Sequence, residues 1–272
     1  MAHTELIPRP ATLVKVTNES ADVMSFEMEF NDGAVMDSLP GQFVEVSVQG
    51  YGEATFAVSR LAPDKKRFAV SVKRMGHLTK MLHRAGEGEV VGVRGPYGKP
   101  FPVNDWKGRH IYIIGGGIGL APLRPVVDYV TANRSDFAGL EILFGARTPG
   151  DMLFKDDLAA WRRDSFVKLH TTIDFPAEGW NSRVGFVPVV AKDLGLKPDN
   201  RIAVVCGPPI MIKLTAVALR ELGWPEESIY TTLEAKMQCG IGQCGRCNIG
   251  AKLVCKDGPV FRLDEIPAHA LA

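Results

Sequence analysis

The fold is decided by the stretch Ile111-Tyr112-Ile113-Ile114-Gly115-Gly116-Gly117-Ile118-Gly119-Leu120-Ala121-Pro122. Its first four residues are all apolar, which is typical of a strand buried on both faces of a parallel sheet. The glycines permit a tight turn, and we expect a helix after them with Pro122 in its first turn. A strand, a glycine loop and a helix in this order predict a phosphate-binding turn.

The glycine loop does not follow the G-x-G-x-x-G spacing, because Leu120 stands where the third glycine would be. A purely structural strand-to-helix turn is therefore an alternative. After the next strand, Arg147 occupies the region where an acidic residue is usual in dinucleotide-binding domains. Arg147 could pair with a phosphate, including a 2′-phosphate, or could be a solvated surface charge.

Strands and helices alternate through the rest of this region, which predicts an α/β sheet. We expect strands at 140–144, 166–173 and 202–205, and helices near 154–161, 188–194 and 211–222. The third of these strands ends in Cys206-Gly207-Pro208-Pro209, at the sheet edge where open α/β sheets bind ligands. Taken alone, Cys206 could equally be a small buried apolar residue.

Upstream, residues 10–103 have the pattern of short half-buried strands. Apolar and polar residues alternate over 24–30, 44–48 and 68–72, and turn sequences such as Asn31-Asp32-Gly33 separate them. This pattern predicts a small antiparallel barrel with one helical piece at 78–82.

Two segments of this barrel could form a flavin cradle, namely 52–59 and 72–79. The first would lay backbone against the flavin ring, and the start of the short helix would offer amides and a hydroxyl to phosphate. The alternative interpretation is an ordinary strand followed by a capped helix start.

Four of the five cysteines lie near the C-terminus, at Cys239, Cys244, Cys247 and Cys255. The spacing of the first three, C-x4-C-x2-C, matches the plant-type [2Fe–2S] loop, and a fourth thiolate follows after seven residues. Glycines between the ligands let the backbone fold around a cluster. A structural zinc site is the alternative, although zinc sites usually pair two C-x2-C knuckles and only one is present.

Composition excludes several classes of protein. The chain has 272 residues and a formal net charge of +1, so neither nucleic acid nor an anionic membrane surface is indicated as a partner. The sequence shows neither a signal-peptide pattern nor an apolar run of membrane-spanning length, so we expect no membrane insertion and a cytoplasmic location.

Taken in order, these motifs resemble the ferredoxin–NADP reductase-like flavoprotein family. The resemblance covers nearly the whole chain and is carried by Pro40-Gly41-Gln42-Phe43, Gly76-His77-Leu78-Thr79, Gly95-Pro96-Tyr97-Gly98, 115–123, Phe144-Gly145-Ala146-Arg147 and Cys206-Gly207-Pro208-Pro209. The chain is most similar to the branch with a C-terminal [2Fe–2S] loop. That branch includes the gamma subunits of sulfhydrogenases and the electron-transfer subunits of anaerobic sulfite reductase and of dihydroorotate dehydrogenase.

The resemblance implies a β-barrel FAD-binding domain at 1–105, an α/β Rossmann-like NAD(P)-binding domain at 106–228 and an iron–sulfur module at 229–272. It implies FAD, NAD(P)H and a [2Fe–2S] cluster as cofactors, and iron–sulfur or catalytic subunits of a larger redox complex as partners. The candidate catalytic residue is Cys206, beside the nicotinamide, and the cluster ligands are the four cysteines. The candidate FAD and NAD(P) contacts are Ala54, Thr55, Phe56, Ala57, Val58, Ser59, Val72, Lys73, Gly76, Leu78, Thr79, Gly115, Gly116, Gly117, Gly119, Ala121, Pro122, Gly145, Ala146, Arg147, Gly207, Pro208 and Pro209.

The chain departs from the family pattern in two places. The family's R-x-[YF]-[ST] flavin motif aligns with Ala54-Thr55-Phe56-Ala57, which lacks the arginine and the final hydroxyl; Arg60, Lys73 or Arg74 could supply the charge. The seven-residue gap before Cys255 is shorter than in dihydroorotate-type subunits and favours the hydrogenase and sulfite-reductase relatives. The alternative functions are a dihydroorotate dehydrogenase electron-transfer subunit and a non-enzymatic, zinc-bearing regulatory subunit.

Overall fold

The computed structural model describes residues 6–267, and their contacts divide the chain into two compact units. The first contains residues 6–101 together with Leu233–Pro259. The second contains Pro102–Thr232 together with residues 260–267. These units are defined by contacts, whereas the modules at 1–105, 106–228 and 229–272 are a functional division that stays a prediction.

The first unit is built on a closed six-stranded barrel, which confirms the predicted antiparallel barrel. Its strands are β1 (Arg9–Asn18), β2 (Val23–Phe30), β3 (Phe43–Val48), β4 (Gly52–Leu61), β5 (Arg67–Lys73) and β6 (Val90–Tyr97). They follow the order β1-β2-β5-β4-β3-β6 around the barrel, and all of their pairings are antiparallel. One helix, α1 (His77–Leu82), follows β5.

Alternating side chains fill the barrel. On β2, Phe26, Met28 and Phe30 are buried while the residues between them are only partly covered, which is the period-two pattern of a strand with one face in the core. They pack with residues such as Val44 and Val70 in one apolar cluster. Closure of the sheet also leaves no edge strand in this barrel.

The second unit is built on an α/β sheet. Its strands are β7 (His110–Gly116), β8 (Gly139–Ala146), β9 (Val167–Ile173), β10 (Arg183–Val184), β11 (Arg201–Cys206), β12 (Ile229–Thr232) and β15 (Val260–Arg262). They lie in the order β10-β9-β8-β7-β11-β12-β15, parallel except for the last pairing. The α-helices are α2 (Arg124–Ala132), α3 (Lys155–Arg163), α4 (Val187–Asp193) and α5 (Pro209–Glu221). Short 3-10 helices lie at Val103–Trp106, Gly117–Leu123, Arg134–Asp136, Pro149–Asp151, Glu226–Ser228 and Leu263–Glu265.

The cysteine loop lies between β12 and β15 in the chain. It contains a two-stranded ribbon, β13 (Asn248–Ile249) with β14 (Lys252–Leu253), and one short helix, α6 (Val254–Asp257). No helix within residues 6–267 is long and apolar enough to cross a membrane.

The expected position of Pro122 is wrong. It lies in the 3-10 helix Gly117–Leu123, and α2 begins only at Arg124. Proline is tolerated in a first turn because the N–H that it lacks would have no partner there, and Pro125 occupies that place in α2. The first α-type hydrogen bond runs from the Arg124 N–H to the Leu120 carbonyl.

A buried carboxylate lies near the amino ends of the sheet strands. Glu141 on β8 is 2% exposed, and its Oε1 lies 2.7 Å from His170 Nε2 and 3.0 Å from Lys168 Nζ on β9. His110 Nε2 on β7 lies 3.8 Å from the other oxygen. Burial raises the pKa of Glu141, but the hydrogen bonds from His170 and Lys168 outweigh it and hold the pKa below its usual range.

Because folding lowers the pKa of Glu141, its carboxylate stabilises the folded state at pH values above the unfolded-state pKa. This stabilisation is lost as the pH falls through the folded-state pKa. We expect Glu141→Gln to reduce the free energy of unfolding by about 1–3 kcal/mol at pH 6 and by much less at pH 3, measured by urea unfolding. The control is Glu29→Gln, which removes an exposed pair with Arg67 and should have little effect. Equal losses for Glu141→Gln at both pH values would contradict the assignment.

Candidate cofactor sites

The dinucleotide candidates meet at a switch point of the sheet. From β7 the chain moves to β8, β9 and β10 on one side and returns to β11 on the other. The strands β7 and β11 are parallel, with Gly115 opposite Cys206 at their carboxyl ends. Open α/β sheets bind ligands in the crevice at this kind of position.

The glycines of this turn allow close packing. A Cβ on Gly119 would lie 2.5 Å from the Cys206 carbonyl oxygen and from Gly207, and one on Gly116 would collide with the Met211 sulfur. Gly117 has a φ of +54°, and a Cβ there would meet no atom within 4 Å. The backbone of the turn therefore faces open space, which fits the approach of a pyrophosphate.

The other predicted dinucleotide contacts surround the same edge. Gly145 and Ala146 end β8, beside β7, and are buried. Arg147 follows them with 70% of its side chain exposed, and its Nη2 lies 3.6 Å from Asp151 Oδ1. Ala121 and Pro122 belong to the 3-10 helix after the turn, and Pro208 and Pro209 lie exposed at the start of α5.

Cys206 is the buried end of this site. It is 5% exposed, and its Sγ lies 2.9 Å from the Thr232 hydroxyl at the end of β12. The thiol is therefore held in one place at the carboxyl edge of the sheet. The sequence could not locate Thr232, which lies 26 residues further along the chain.

The flavin candidates divide into core and accessible residues. Val58, Ser59 and Val72 are at most 2% exposed. The Ser59 hydroxyl donates to the Ala69 carbonyl and accepts from the Ser71 hydroxyl. Side chains in the barrel core cannot reach a ligand, so these three positions could offer backbone atoms only. The run Ala54, Thr55, Phe56 and Ala57 is partly exposed along β4.

At the start of α1, backbone amides are available to a phosphate, but the Thr79 hydroxyl is not. The Thr79 hydroxyl accepts hydrogen bonds from the Met75 and Gly76 N–H groups, each at 2.9 Å, and donates to the Gly76 carbonyl. It is therefore occupied in capping the helix. Gly76 is exposed and a Cβ on it would meet nothing within 4 Å, so a phosphate could still approach the amides of His77 and Leu78.

Three basic residues, Arg60, Lys73 and Arg74, could replace the arginine that the flavin motif lacks. Lys73 has an acidic neighbour, because its Nζ lies 3.5 Å from Asp22 Oδ2. Arg74 is exposed, and its Nη2 lies 3.5 Å from the Ala21 carbonyl. Arg60 faces Ala69 across the β4–β5 pairing. Arg74 is thus the most accessible of the three.

Backbone N–H groups surround the cysteine sulfurs. The Cys239 Sγ accepts from the Gln243 and Cys244 amides at 3.3 and 3.4 Å, and the Cys255 Sγ accepts from Gly242 at 3.1 Å. Gly240, Gly242, Gly245 and Gly250 all have positive φ, which lets the chain turn its amides toward the sulfurs. Such hydrogen bonds tune an iron–sulfur cluster.

The four thiols fall into two hydrogen-bonded pairs, Cys239 with Cys244 and Cys247 with Cys255. Between residues 6 and 267, no three His, Cys, Asp or Glu side chains are grouped closely enough to hold one metal ion. Four thiolates from one loop are the ligand set of a [2Fe–2S] cluster.

The pKa values of two of these thiols are shifted in opposite directions. Burial raises the pKa of Cys239, but backbone N–H groups outweigh it and lower the pKa to about 6. Burial and the neighbouring Cys247 raise the pKa of Cys255 to about 12. A metal centre would replace these protons, because only the thiolate is a ligand.

Comparison with known proteins accounts for the whole architecture. Residues 10–101 match the model of the oxidoreductase FAD-binding domain, and residues 113–216 match that of the oxidoreductase NAD-binding domain. Residues 234–267 match the iron–sulfur cluster binding domain of dihydroorotate dehydrogenase B. The gamma subunit of sulfhydrogenase 2 from Pyrococcus furiosus is 32% identical over 270 residues, which cover 92% of this chain and 93% of that subunit.

The chain belongs to the family of FAD- and NAD-binding electron-transfer subunits with an iron–sulfur domain. A further member, the probable dihydroorotate dehydrogenase B (NAD(+)) electron transfer subunit of Methanothermobacter thermautotrophicus, is 33% identical and aligns over 96% of this chain and 91% of its own length. The solved structure of an NADH-dependent reduced ferredoxin–NADP oxidoreductase has a TM-score of 0.79 at 26% identity, covering 100% of this chain and 93% of that one. The expectation of an oxidoreductase with FAD, NAD(P)H and an iron–sulfur cluster is confirmed.

The packing of the glycine turn gives a direct test of the dinucleotide site. We expect Gly119→Ala to push the turn away from Cys206 and Gly207 and to weaken NAD(P)H binding by about tenfold or more, because misplaced donors lose their hydrogen bonds. The measurement is titration of the purified protein with NADH and NADPH. Gly150→Ala is the control, since its Cβ would meet only Thr148 Oγ1 at 3.7 Å. Unchanged affinity for both dinucleotides in Gly119→Ala would rule out this placement.

Proposed function

We propose that this chain is the subunit of a multi-subunit redox complex that links NAD(P)H, through FAD and a [2Fe–2S] cluster, to an iron–sulfur or catalytic subunit. The observation that carries the proposal is the grouping of the four-cysteine loop with the FAD-type barrel in one compact unit. A cluster module packed on a flavin barrel provides a short internal route for electrons. The predicted modules 1–105, 106–228 and 229–272 correspond to the flavin, the nicotinamide and the cluster.

The residues of the sheet edge would bind and orient the dinucleotide. Gly115, Gly116, Gly117 and Gly119 present backbone to the pyrophosphate, and the start of α5 at Pro208 and Pro209 borders the same edge. Arg147 is exposed after β8 and would face the ribose, where it could pair with a 2′-phosphate. Cys206, held by Thr232, would contact the nicotinamide.

On the barrel, the backbone of β4 from Ala54 to Ser59 and of Val72 and Lys73 would lie against the flavin, and the start of α1 from Gly76 to Leu78 would receive its phosphates. Arg74 would supply the cation that the altered motif lacks. Cys239, Cys244, Cys247 and Cys255 would ligate the cluster. When bound, the flavin and the cluster together supply the conversion between two-electron hydride chemistry and single-electron transfer.

The partner would meet the cluster at its exposed side. Cys244 is exposed while Cys247 and Cys255 are buried, and the basic Arg246 lies close to Cys244 in the chain. The named relatives are subunits of sulfhydrogenase and of dihydroorotate dehydrogenase B. We propose the cytoplasm as the location, because cysteines that serve as cluster ligands must stay reduced, and thiols stay reduced in that compartment.

A second candidate is the electron-transfer subunit of a dihydroorotate dehydrogenase, favoured by the match of residues 234–267 to that enzyme's iron–sulfur domain. The seven-residue spacing before Cys255 favours the hydrogenase-type complex instead. Purification of the chain with its native partners would decide between them, by showing whether hydrogen or dihydroorotate is oxidised by the complex.

The proposed cofactor set predicts the colour of the protein. We expect the anaerobically purified chain to show flavin absorption bands with an iron–sulfur charge-transfer shoulder, and both should bleach when NADH or NADPH is added. Absorption spectroscopy together with iron and zinc analysis provides the measurement. A colourless preparation containing one zinc per chain would overturn the proposal and support a regulatory subunit.

Cys206 gives a test of the nicotinamide position. We expect Cys206→Ala to slow reduction of the flavin by NAD(P)H by about tenfold to a hundredfold with little change in dinucleotide affinity, since a contact made at the reacting ring acts on the rate rather than on binding. Stopped-flow absorbance measures both quantities. Cys206→Ser keeps a polar group beside Thr232 and should be less affected. A wild-type rate in Cys206→Ala would remove Cys206 from the site.

A further inference from the structure

One buried arginine connects the barrel to the cysteine loop. Arg94 on β6 is 5% exposed, and its Nε donates to Glu53 Oε1 at 2.7 Å. Its Nη2 donates to the other oxygen of the same carboxylate on β4. The guanidinium group therefore makes a two-point contact with Glu53, the geometry that fixes arginine most firmly to a carboxylate.

Two further N–H donors of Arg94 point at the cysteine loop. Its Nη1 donates to the carbonyl of Cys239 and its Nη2 donates to the carbonyl of Gln238. These are successive peptide groups at the first proposed cluster ligand. Arg94 thus holds the backbone of Cys239, 145 residues away in sequence, against the barrel wall.

The end of β6 and the turn after it contact the same loop at two further points. A Cβ on Gly240 would lie 2.8 Å from the Tyr97 ring, so Gly240 packs against that ring. A Cβ on Gly98 would lie 2.6 Å from Pro259, and the Lys99 N–H donates to the Gly258 carbonyl. Both ends of the cysteine loop therefore pack against β6 and the turn that follows it. Arg94 makes the charged contact of this packing.

A buried positive charge beside an iron–sulfur cluster has an electrostatic consequence. Reduction adds negative charge to the cluster, and a nearby cation favours the more negative state, the more so where water is excluded. The carboxylate of Glu53 opposes this effect in part while it orients the guanidinium. The pair thus has two functions, fixing the loop and setting the charge beside it.

We propose that Arg94 is a positioning residue for the iron–sulfur cluster: it fixes the backbone of Cys239 on the barrel and raises the reduction potential of the cluster through its buried charge. This rests on the proposed function in one respect, namely that the four cysteines hold a cluster. Arg94 itself is not a ligand, and its effect is exerted through Cys239 and through the field at the cluster.

The experiment uses the full chain purified anaerobically in four variants, Arg94→Gln, Arg94→Lys, Glu53→Gln and Arg67→Gln. Iron per chain is measured by chemical analysis, and the reduction potential by redox titration followed by electron paramagnetic resonance. Arg67 is the matched control, because it pairs with Glu29 on the outer surface of the same barrel and its side chain is 56% exposed.

We expect Arg94→Gln to retain half the iron or less. In its remaining clusters, the equilibrium constant for reduction should fall about tenfold, which lowers the reduction potential by about 59 mV for one electron. Arg94→Lys keeps the charge and should restore most of the potential but not the full iron content. Glu53→Gln removes the opposing charge and should shift the potential upward. Arg67→Gln should match the wild type in both measurements.

Three outcomes separate the possible failures. A wild-type chain without iron–sulfur absorption would refute the proposed function itself. A wild-type chain with its cluster, together with wild-type iron content and potential in Arg94→Gln, would refute the role of Arg94 alone. Should Arg94→Gln fail to fold, the other two variants decide. Full iron content in Arg94→Lys, or a reduction potential in Glu53→Gln that stays at the wild-type value or moves downward, overturns the proposal.

Discussion

A buried guanidinium must have its hydrogen bonds satisfied, and in this protein that requirement joins the barrel to the cysteine loop. Glu53 occupies one side of Arg94, and the carbonyls of Gln238 and Cys239 occupy the other. An uncompensated charge in this position would cost several kcal/mol. The barrel wall and the loop therefore depend on each other, and the first proposed cluster ligand is fixed by a strand far from it in sequence.

A different constraint organises the α/β sheet. The reversal of strand order at β7 brings the carboxyl ends of β7 and β11 side by side, and the glycine turn after β7 packs against the end of β11. Gly119 lets the turn approach the Cys206 carbonyl, while Gly117 leaves the space above it open. Close packing on one side and an open approach on the other are what a phosphate-binding turn requires.

The sequence was most informative where a pattern of one residue type is compatible with few structures. Four thiols at ligand spacing and a glycine run after an apolar strand could be interpreted without structure, and both the barrel and the α/β sheet were predicted from their periodicities. Pro122 was misplaced, because sequence does not say whether a turn winds as a 3-10 or an α-helix. The Thr79 hydroxyl looked available for phosphate, yet it caps its own helix, a choice that depends on local geometry.

The sequence by itself determined the strand periods, the glycine turn and the cysteine spacing, because each is a property of neighbouring residues along the chain. Only the tertiary structure decided that Gly115 lies opposite Cys206, that Thr232 holds the Cys206 thiol and that Arg94 reaches Cys239. These contacts join residues 26 to 145 positions apart. In the sequence, the only indication of the role of Arg94 is a charged residue next to the apolar positions of a strand. Its partners are brought to it by the closure of the barrel and are not its neighbours in the chain.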